Sequence, residues 1–96
     1  MKFEFDSPKS KANAAKHGID FPSAQELWLD EQRLVVELVW TAEPRWLLVA
    51  SRGGKIWTAV FTWRGENIQI ISVRRSRDCE KEQYEQNQEE DSGSGV

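Results

Sequence analysis

The sequence predicts an α+β domain with a short N-terminal strand, two helices, a four-stranded antiparallel meander and a C-terminal helix. Two observations support this prediction. Apolar residues recur with a period of two from residue 33 to residue 73, which indicates strands. Before this region, proline and glycine stand at spacings typical of helix starts and stops, and after it the chain is polar with helical spacing.

The first part of the chain predicts one strand and two helices. Residues 2–5 alternate charged and aromatic side chains, as in a short strand with one buried face. Ser7 followed by Pro8 predicts a helix with serine as its N-cap, and Gly18 predicts the end of that helix. Asp20 is the next N-cap candidate, and it opens a second short helix.

Four strands are predicted next, over residues 34–39, 45–51, 55–63 and 67–73. Glycines at positions 53, 54 and 65 permit the positive φ angles that tight hairpin turns require. Sequential strands joined in this way form an antiparallel meander. One face of such a sheet needs a cover, and we expect the two N-terminal helices to provide it.

Length and composition indicate a single domain in residues 1–86 and a disordered tail in residues 87–96. A chain of 96 residues can bury a modest core. Helical spacing resumes after Ser76, and we expect that last helix to end before Asn87. Residues 89–95 contain no apolar side chain, which predicts disorder.

The net charge of −3 hides an asymmetry along the chain. Residues 1–77 carry twelve lysines and arginines against nine acids, whereas one lysine stands against seven acids from residue 78 onward. A mildly basic body is compatible with RNA, although it is weaker than the charge of a dedicated nucleic-acid-binding domain. With no signal peptide and no apolar run of about 18 residues, we expect a cytoplasmic location and no membrane contact.

A single histidine limits the chemistry that the chain can carry. His17 belongs to the side-chain type that titrates nearest to neutral pH, so it could act as an acid, a base or a phosphate contact. At the end of a helix its cation would equally favour the helix dipole, as Lys16 would. One histidine and one cysteine, Cys79, argue against a zinc site, and no cofactor is expected.

Arginines near the ends of the last two strands suit an oxyanion, because a guanidinium donates paired hydrogen bonds and stays charged. Arg64 lies beside a turn glycine, and Arg74 and Arg75 should point in opposite directions at the strand exit. Their structural interpretation is equally open. Arg64 would then be a solvated turn residue, and the other two would flank the last helix or pair with Glu80.

An acid and an arginine lie two residues apart in the loop before the second predicted meander strand. Glu43 and Arg45 flank a proline, and on an extended segment their side chains face the same way. They could form a surface ion pair of little energetic value, or a base held beside a phosphate-binding arginine. Trp40, Trp46 and Trp63 could stack on RNA bases, although core or partner contacts are the commoner role.

These residues and their neighbours fall into three segments. The opening segment contains Phe5, Asp6, Lys9, Asn13, Lys16, His17, Gly18, Ile19, Phe21, Ala24, Leu27, Trp28 and Asp30; the central loop contains Glu43, Arg45 and Trp46; the closing segment contains Thr62, Arg64, Gly65, Glu66, Ile68, Ile70, Ile71, Ser72, Arg74, Arg75, Ser76, Glu80 and Tyr84. Their order resembles the BrnT family of bacterial ribonuclease toxins, and the resemblance covers residues 1–85.

The resemblance implies a RelE-like fold, metal-independent endoribonuclease activity that arrests translation and growth, and a cognate antitoxin. The antitoxin would be BrnA-like, with a ribbon-helix-helix domain through which the complex contacts operator DNA. Two toxins would join through an antitoxin dimer into a heterotetramer. The alternative is a weakened or inactive relative that serves as an antitoxin-binding module.

The implied site draws on all three segments. RNA cleavage by the adjacent 2′-hydroxyl needs a proton acceptor, cations around the phosphorane and an acid for the leaving 5′-oxygen. The catalytic candidates are His17, Glu43, Arg45, Arg64, Arg74 and Arg75, and the RNA-binding candidates are Lys9, Lys16 and Gln69. Arg64 with Arg74 or Arg75 would clamp the phosphate, and Glu43 or His17 would accept the proton.

Gln69 stands where the family pattern has an arginine in its closing strand. Glutamine can hydrogen-bond a phosphate but carries no charge. If the arginine acts directly, its loss would cost roughly 2–4 kcal/mol of transition-state stabilisation and slow turnover by about a hundredfold. Two other interpretations are a neutral exposed change and a deliberately weakened variant.

Overall fold

The computed structural model describes residues 2–39 and 42–94. The elements in chain order are β1 (Phe3–Glu4), α1 (Ser7–His17), α2 (Phe21–Ala24), a 3₁₀ helix (Gln25–Leu29), β2 (Leu34–Leu38), β3 (Arg45–Arg52), β4 (Lys55–Arg64), β5 (Asn67–Arg75) and α3 (Asp78–Ser94). The predicted α+β class is confirmed. None of the helices in residues 2–39 and 42–94 has the length and apolar character needed to cross a membrane.

The sheet has five strands in the order β1-β5-β4-β3-β2. Strands β2 to β5 are antiparallel neighbours, as predicted, but β1 joins them in parallel beside β5. The predicted antiparallel meander therefore accounts for four of the five strands, and the sheet as a whole is mixed. The parallel strand arises from a long-range contact: Phe3 pairs with Ile68, and the Ile68 N–H donates to the Lys2 carbonyl at 2.8 Å.

The first helix begins one residue earlier than its predicted cap implied. Asp6, and not Ser7, is the N-cap, because the Asp6 carboxylate accepts the backbone N–H of Lys9 at 3.1 Å. Gly18 ends the helix as predicted. It adopts a φ of 81°, which glycine tolerates, and its N–H donates to the Ala14 carbonyl.

The second helical segment changes type part-way along. Asp20 caps it as predicted, accepting the Ser23 N–H at 2.8 Å. The α-helical part ends at Ala24, and the chain tightens into the 3₁₀ helix up to Leu29. This tighter turn places Leu27 in the core with no exposed surface.

One hydrophobic core lies between the sheet and the N-terminal helices. Its members are each less than a tenth exposed: Ile19, Phe21, Ala24, Leu27, Leu48, Ala50, Trp57, Ala59, Phe61, Ile68, Ile70 and Val73. Trp46 packs against this core with its ring stacked on Phe61, at 6.1 Å between centroids. Trp63 remains 43% exposed, and Trp40 lies outside the described residues.

The last helix packs on the opposite side of the sheet. Tyr84 is 3% exposed, and its hydroxyl donates to the Asp30 carboxylate just after the 3₁₀ helix. The expected helix end before Asn87 is wrong, because α3 continues to Ser94. The division of the chain into a domain and a tail at residue 86 stays a prediction.

Candidate functional site

The polar candidates on the sheet follow from its alternation of faces. Side chains of one strand point alternately to the two faces, and paired residues share a face. In β4 the core face holds Phe61, so Thr62 and its partner Gln69 point to the other face. In β3 the core face holds Leu48, so Arg45 points away from the core as well. We call this surface the outer face; it carries Arg45, Thr62, Arg64, Gln69 and Arg74.

Arg64 and Gln69 contact each other directly on the outer face. The Arg64 Nε–H donates to the Gln69 Oε1 at 2.9 Å, across the β4–β5 hairpin. Arg64 is exposed, and no acceptor among the described residues lies within hydrogen-bond distance of its two Nη groups. The guanidinium therefore presents its two Nη groups to an incoming ligand, while Gln69 fixes its Nε end.

Arg74 has a different environment. Its Nη1 and Nη2 donate to the two carboxylate oxygens of Glu80 at 2.8 and 2.9 Å, and both side chains are largely buried. The Glu80 carboxylate also accepts the Arg77 backbone N–H at 2.7 Å and the Thr58 hydroxyl at 3.0 Å. Thr58 is hydrogen-bonded in turn to Ser76. The prediction that one of the exit arginines pairs with Glu80 is thus confirmed for Arg74.

Arg74 and Glu80 shift each other's pKa values. Hydrogen bonds from Arg74 are the largest cause that lowers the pKa of Glu80, and with those from Arg77 and Thr58 they outweigh burial and bring it to about 2. Hydrogen bonding to Glu80 raises the pKa of Arg74, against the opposing effect of burial. Both groups are therefore charged at neutral pH, and the positive charge of Arg74 is already compensated.

Arg75 points to the other face, as the predicted alternation requires. It pairs with Trp57 across β4–β5, and its guanidinium carbon lies 5.4 Å from the centre of the Trp57 ring. This cation–π contact stabilises the exposed end of the core. Arg75 is therefore not on the outer face with Arg64.

The loop before β3 is fixed beside the outer face. The Thr62 hydroxyl donates to the Pro44 carbonyl at 2.8 Å, so the loop that carries Glu43 lies against β4. Glu43 is exposed, and Arg45 at the start of β3 is half-buried. The predicted acid and arginine of this loop thus stand at the same end of the outer face as Arg64 and Gln69.

The remaining candidates belong to α1. Lys9 and Lys16 are exposed and His17 is half-buried in the last turn. None of the hydrogen bonds found within residues 2–39 and 42–94 joins these three side chains to the outer face. The nine candidates therefore divide into an outer-face group, a helix group on α1, and Arg75 on the core side.

Asn13 has a structural role that the sequence did not predict. Its side-chain amide donates to the carbonyls of Ile19 and Val73 at 2.8 and 2.9 Å, and its Oδ1 accepts the Val73 N–H at 3.1 Å. Because β1 ends at Glu4, the carboxamide takes the place of a neighbouring strand further along β5. A polar residue among alanines in a helix was the only indication in the sequence.

A second network that the sequence did not predict joins α3 to the rest of the fold. Asp30 accepts hydrogen bonds from the backbone N–H groups of Gln32 and Ser51 and from the Tyr84 hydroxyl. Burial alone would raise the pKa of Asp30, but these hydrogen bonds lower it below its usual value. Asp30 and Tyr84 are 54 residues apart, so no local pattern could have linked them.

The comparison with protein families identifies one match. The family model described as "Ribonuclease toxin, BrnT, of type II toxin-antitoxin system" matches residues 5–80. The matched range contains all nine candidate residues and ends at Glu80. No curated protein matches the chain.

Proposed function

Because the chain belongs to the BrnT family of ribonuclease toxins of type II toxin–antitoxin systems, we propose that it is a metal-independent endoribonuclease. It cleaves cellular RNA in the cytoplasm, arrests translation and growth, and is neutralised by a cognate antitoxin. The observation that carries the proposal is the outer face, where no acceptor among residues 2–39 and 42–94 occupies the two Nη groups of Arg64, at the same end of the sheet as Arg45 and the Glu43 loop.

Arg64 is the leading candidate for phosphate binding. Its Nη groups can donate a pair of hydrogen bonds to the non-bridging oxygens, which become more negative as the 2′-hydroxyl attacks. Arg45 adds a second positive charge nearby. Arg74 already donates both of its Nη groups to Glu80, so we assign it a positioning role at the edge of the site.

We assign the role of proton acceptor to Glu43 in preference to His17. The Glu43 loop is tied to β4 through the bond between Thr62 and Pro44, so the carboxylate can reach a sugar whose phosphate sits on Arg64. His17 lies at the end of α1, and no hydrogen bond found among the described residues joins it to the outer face. Lys9, Lys16 and Arg75 would then contact flanking phosphates outside the reacting centre.

The partners follow from the family. We propose a BrnA-like antitoxin with a ribbon-helix-helix domain, which brings the complex to operator DNA, and a heterotetramer of two toxins and two antitoxins. We propose that the mixed five-stranded sheet is a variant of the RelE-like architecture. An antitoxin that covers Arg64 would block the RNA site directly.

Inducible expression in bacteria tests the proposal. We would follow growth and total RNA for the unchanged chain, for Arg64→Ala and for Arg52→Ala, whose arginine lies at the β3–β4 turn and pairs with Glu26. We expect growth arrest with RNA loss from the unchanged chain and from Arg52→Ala, but not from Arg64→Ala. Purified protein should cleave RNA in the presence of a chelator. A folded chain that leaves RNA and growth intact would refute the nuclease function.

A weakened or inactive antitoxin-binding module is the second candidate. Two observations favour it: Gln69 brings no charge beside Arg64, and the Arg74 guanidinium is held by Glu80. This candidate predicts a stable complex with the antitoxin and no RNA loss from the unchanged chain. Co-purification of the two proteins together with the growth assay separates the two functions.

A further inference from the structure

β2 forms one edge of the sheet and exposes apolar side chains. β2 lies last in the strand order, and among the described residues only β3 pairs with it. Val35 is 49% and Val36 is 37% exposed, although both belong to the strand. Edge strands are commonly protected by lysine, proline or a bulge, and β2, with the sequence LVVEL, has none of these; its protection is limited to its five-residue length and the charge of Glu37.

We propose that a second copy of this chain pairs with β2 along this edge. The two β2 strands would run antiparallel about a twofold axis through Val35, so that the two sheets join into one. In this register Val35 lies opposite Val35 of the other copy, and Leu34 lies opposite Val36. Arg33, the residue before the strand, lies opposite Glu37.

Charge complementarity selects this register. A twofold axis normal to the sheet must pair residues that share a face, so the nearest alternatives are centred on Leu34 and on Val36. The first sets Arg33 opposite Val35 and Glu31 opposite Glu37, and the second sets Glu37 opposite Val35, so each leaves a charge against an apolar side chain. Centring on Val35 instead forms two ion pairs between Arg33 and Glu37, both exposed in the single chain.

Open cavities border β2 on both faces of the sheet, and α3 reaches the start of the strand through the hydrogen bond from Asn87 to the Gln32 carbonyl. On the core side, Arg33 and Val35 border an open cavity of about 180 Å³ with Trp46 and Trp63. On the α3 side, Leu34 and Val36 border a shallow cavity with Gln83. β3 and β4 separate β2 from Gln69 on β5, whereas the end of β2 at Leu38 pairs with Arg45 of the outer face.

Sedimentation of the purified full chain over a range of concentrations tests the pairing. β2 has only five residues, so we expect a monomer–dimer equilibrium with a dissociation constant in the micromolar range, typical of small interfaces. Arg33→Glu and Glu37→Arg each replace two ion pairs by two like-charge pairs, which should weaken the dimer about tenfold or more. The double variant R33E/E37R restores opposite charges and should restore the dimer.

Two controls complete the test. Glu66→Arg makes the same charge change at the β4–β5 turn and should leave the dimer unchanged. Val35→Lys sets two cations together on the axis and should give a monomer. A chain that stays monomeric at about 1 mM, beyond the range of weak specific association, would overturn the proposal. So would single variants that dimerise normally, or a double variant that does not recover.

Discussion

Arg74 and Glu80 form a bidentate ion pair at the junction of β5 and α3, with N–O distances of 2.8 and 2.9 Å. The sequence offered Arg74 both as a phosphate clamp and as a partner of the last helix. In the folded chain the guanidinium binds a carboxylate that also caps the first turn of α3 through the Arg77 N–H. Arg74 therefore fixes the helix beside the sheet, and Arg64, with Arg45 beside it, remains on the outer face to meet a ligand.

Replacing Glu80 should make stability depend less on pH. The fall of its pKa from 4.5 to about 2 corresponds to a contribution on the order of 3 kcal/mol. Because the folded-state value is the lower one, this contribution is complete above pH 4.5 and is lost as the pH falls towards 2. Urea unfolding at pH 7 should therefore show Glu80→Gln destabilised by about 2–3 kcal/mol.

The difference between Glu80→Gln and the unchanged chain should shrink steadily as the pH approaches 2. Glu82→Gln, at an exposed position of the same helix, is the matched control and should differ little at any pH. A constant difference between pH 7 and pH 2 would mean that the ion pair contributes nothing through the charge of Glu80.

Asn13→Ala should be strongly destabilising. The substitution removes the acceptor of the buried Val73 N–H and the donor to two carbonyls. A buried group left without a partner costs about 1–3 kcal/mol. Because the loss is partial for some of these groups, we expect a total destabilisation of about 2–4 kcal/mol in chemical denaturation. Lys11→Ala, on the exposed side of α1, is the control. An Asn13→Ala loss below about 1 kcal/mol would show that water replaces the carboxamide.

Tyr84→Phe should loosen α3 while leaving its packing intact. The variant keeps the buried ring and loses only the hydroxyl that donates to Asp30. A hydrogen bond to a charged acceptor is worth about 1.5–3 kcal/mol, and amide exchange in α3 should accelerate more than in β4. Equal acceleration in both elements would instead indicate that the fold opens only as a whole.

Gln69→Arg should increase RNA cleavage. It adds a charge beside Arg64, on the face where we propose that the phosphate binds, and one such charge can contribute roughly 2–4 kcal/mol to the transition state. We expect kcat to rise by about tenfold to a hundredfold. Gln69→Leu removes the acceptor of the Arg64 Nε–H and should lower kcat. Gln83→Arg, at an exposed position of α3, controls for the added charge alone. An equal rise in kcat from both arginine variants would contradict a local effect.

The sequence predicted the candidate site only in part. Arg64 was identified from its place beside a turn glycine and within the family pattern, and the fold places it exposed on the outer face. The opposite directions of Arg74 and Arg75 also followed from strand alternation. The network of Thr58, Ser76 and Glu80 could not be predicted, because its members meet only after β5 and α3 have packed.

The sequence by itself determined the strands of the meander, two of its turns and the family of this protein. Alternating apolar residues define β2 to β5, glycines with positive φ define the hairpins, and the order of motif residues identifies a BrnT toxin. Only the tertiary structure decided that β1 joins the sheet in parallel, that Asn13 replaces a strand beside Val73, and that Tyr84 of α3 donates to Asp30. The reason is physical: periodicity and turn preferences act over a few residues, whereas these contacts join segments up to 65 residues apart, as Phe3 and Ile68 are, and form only when the whole core is assembled.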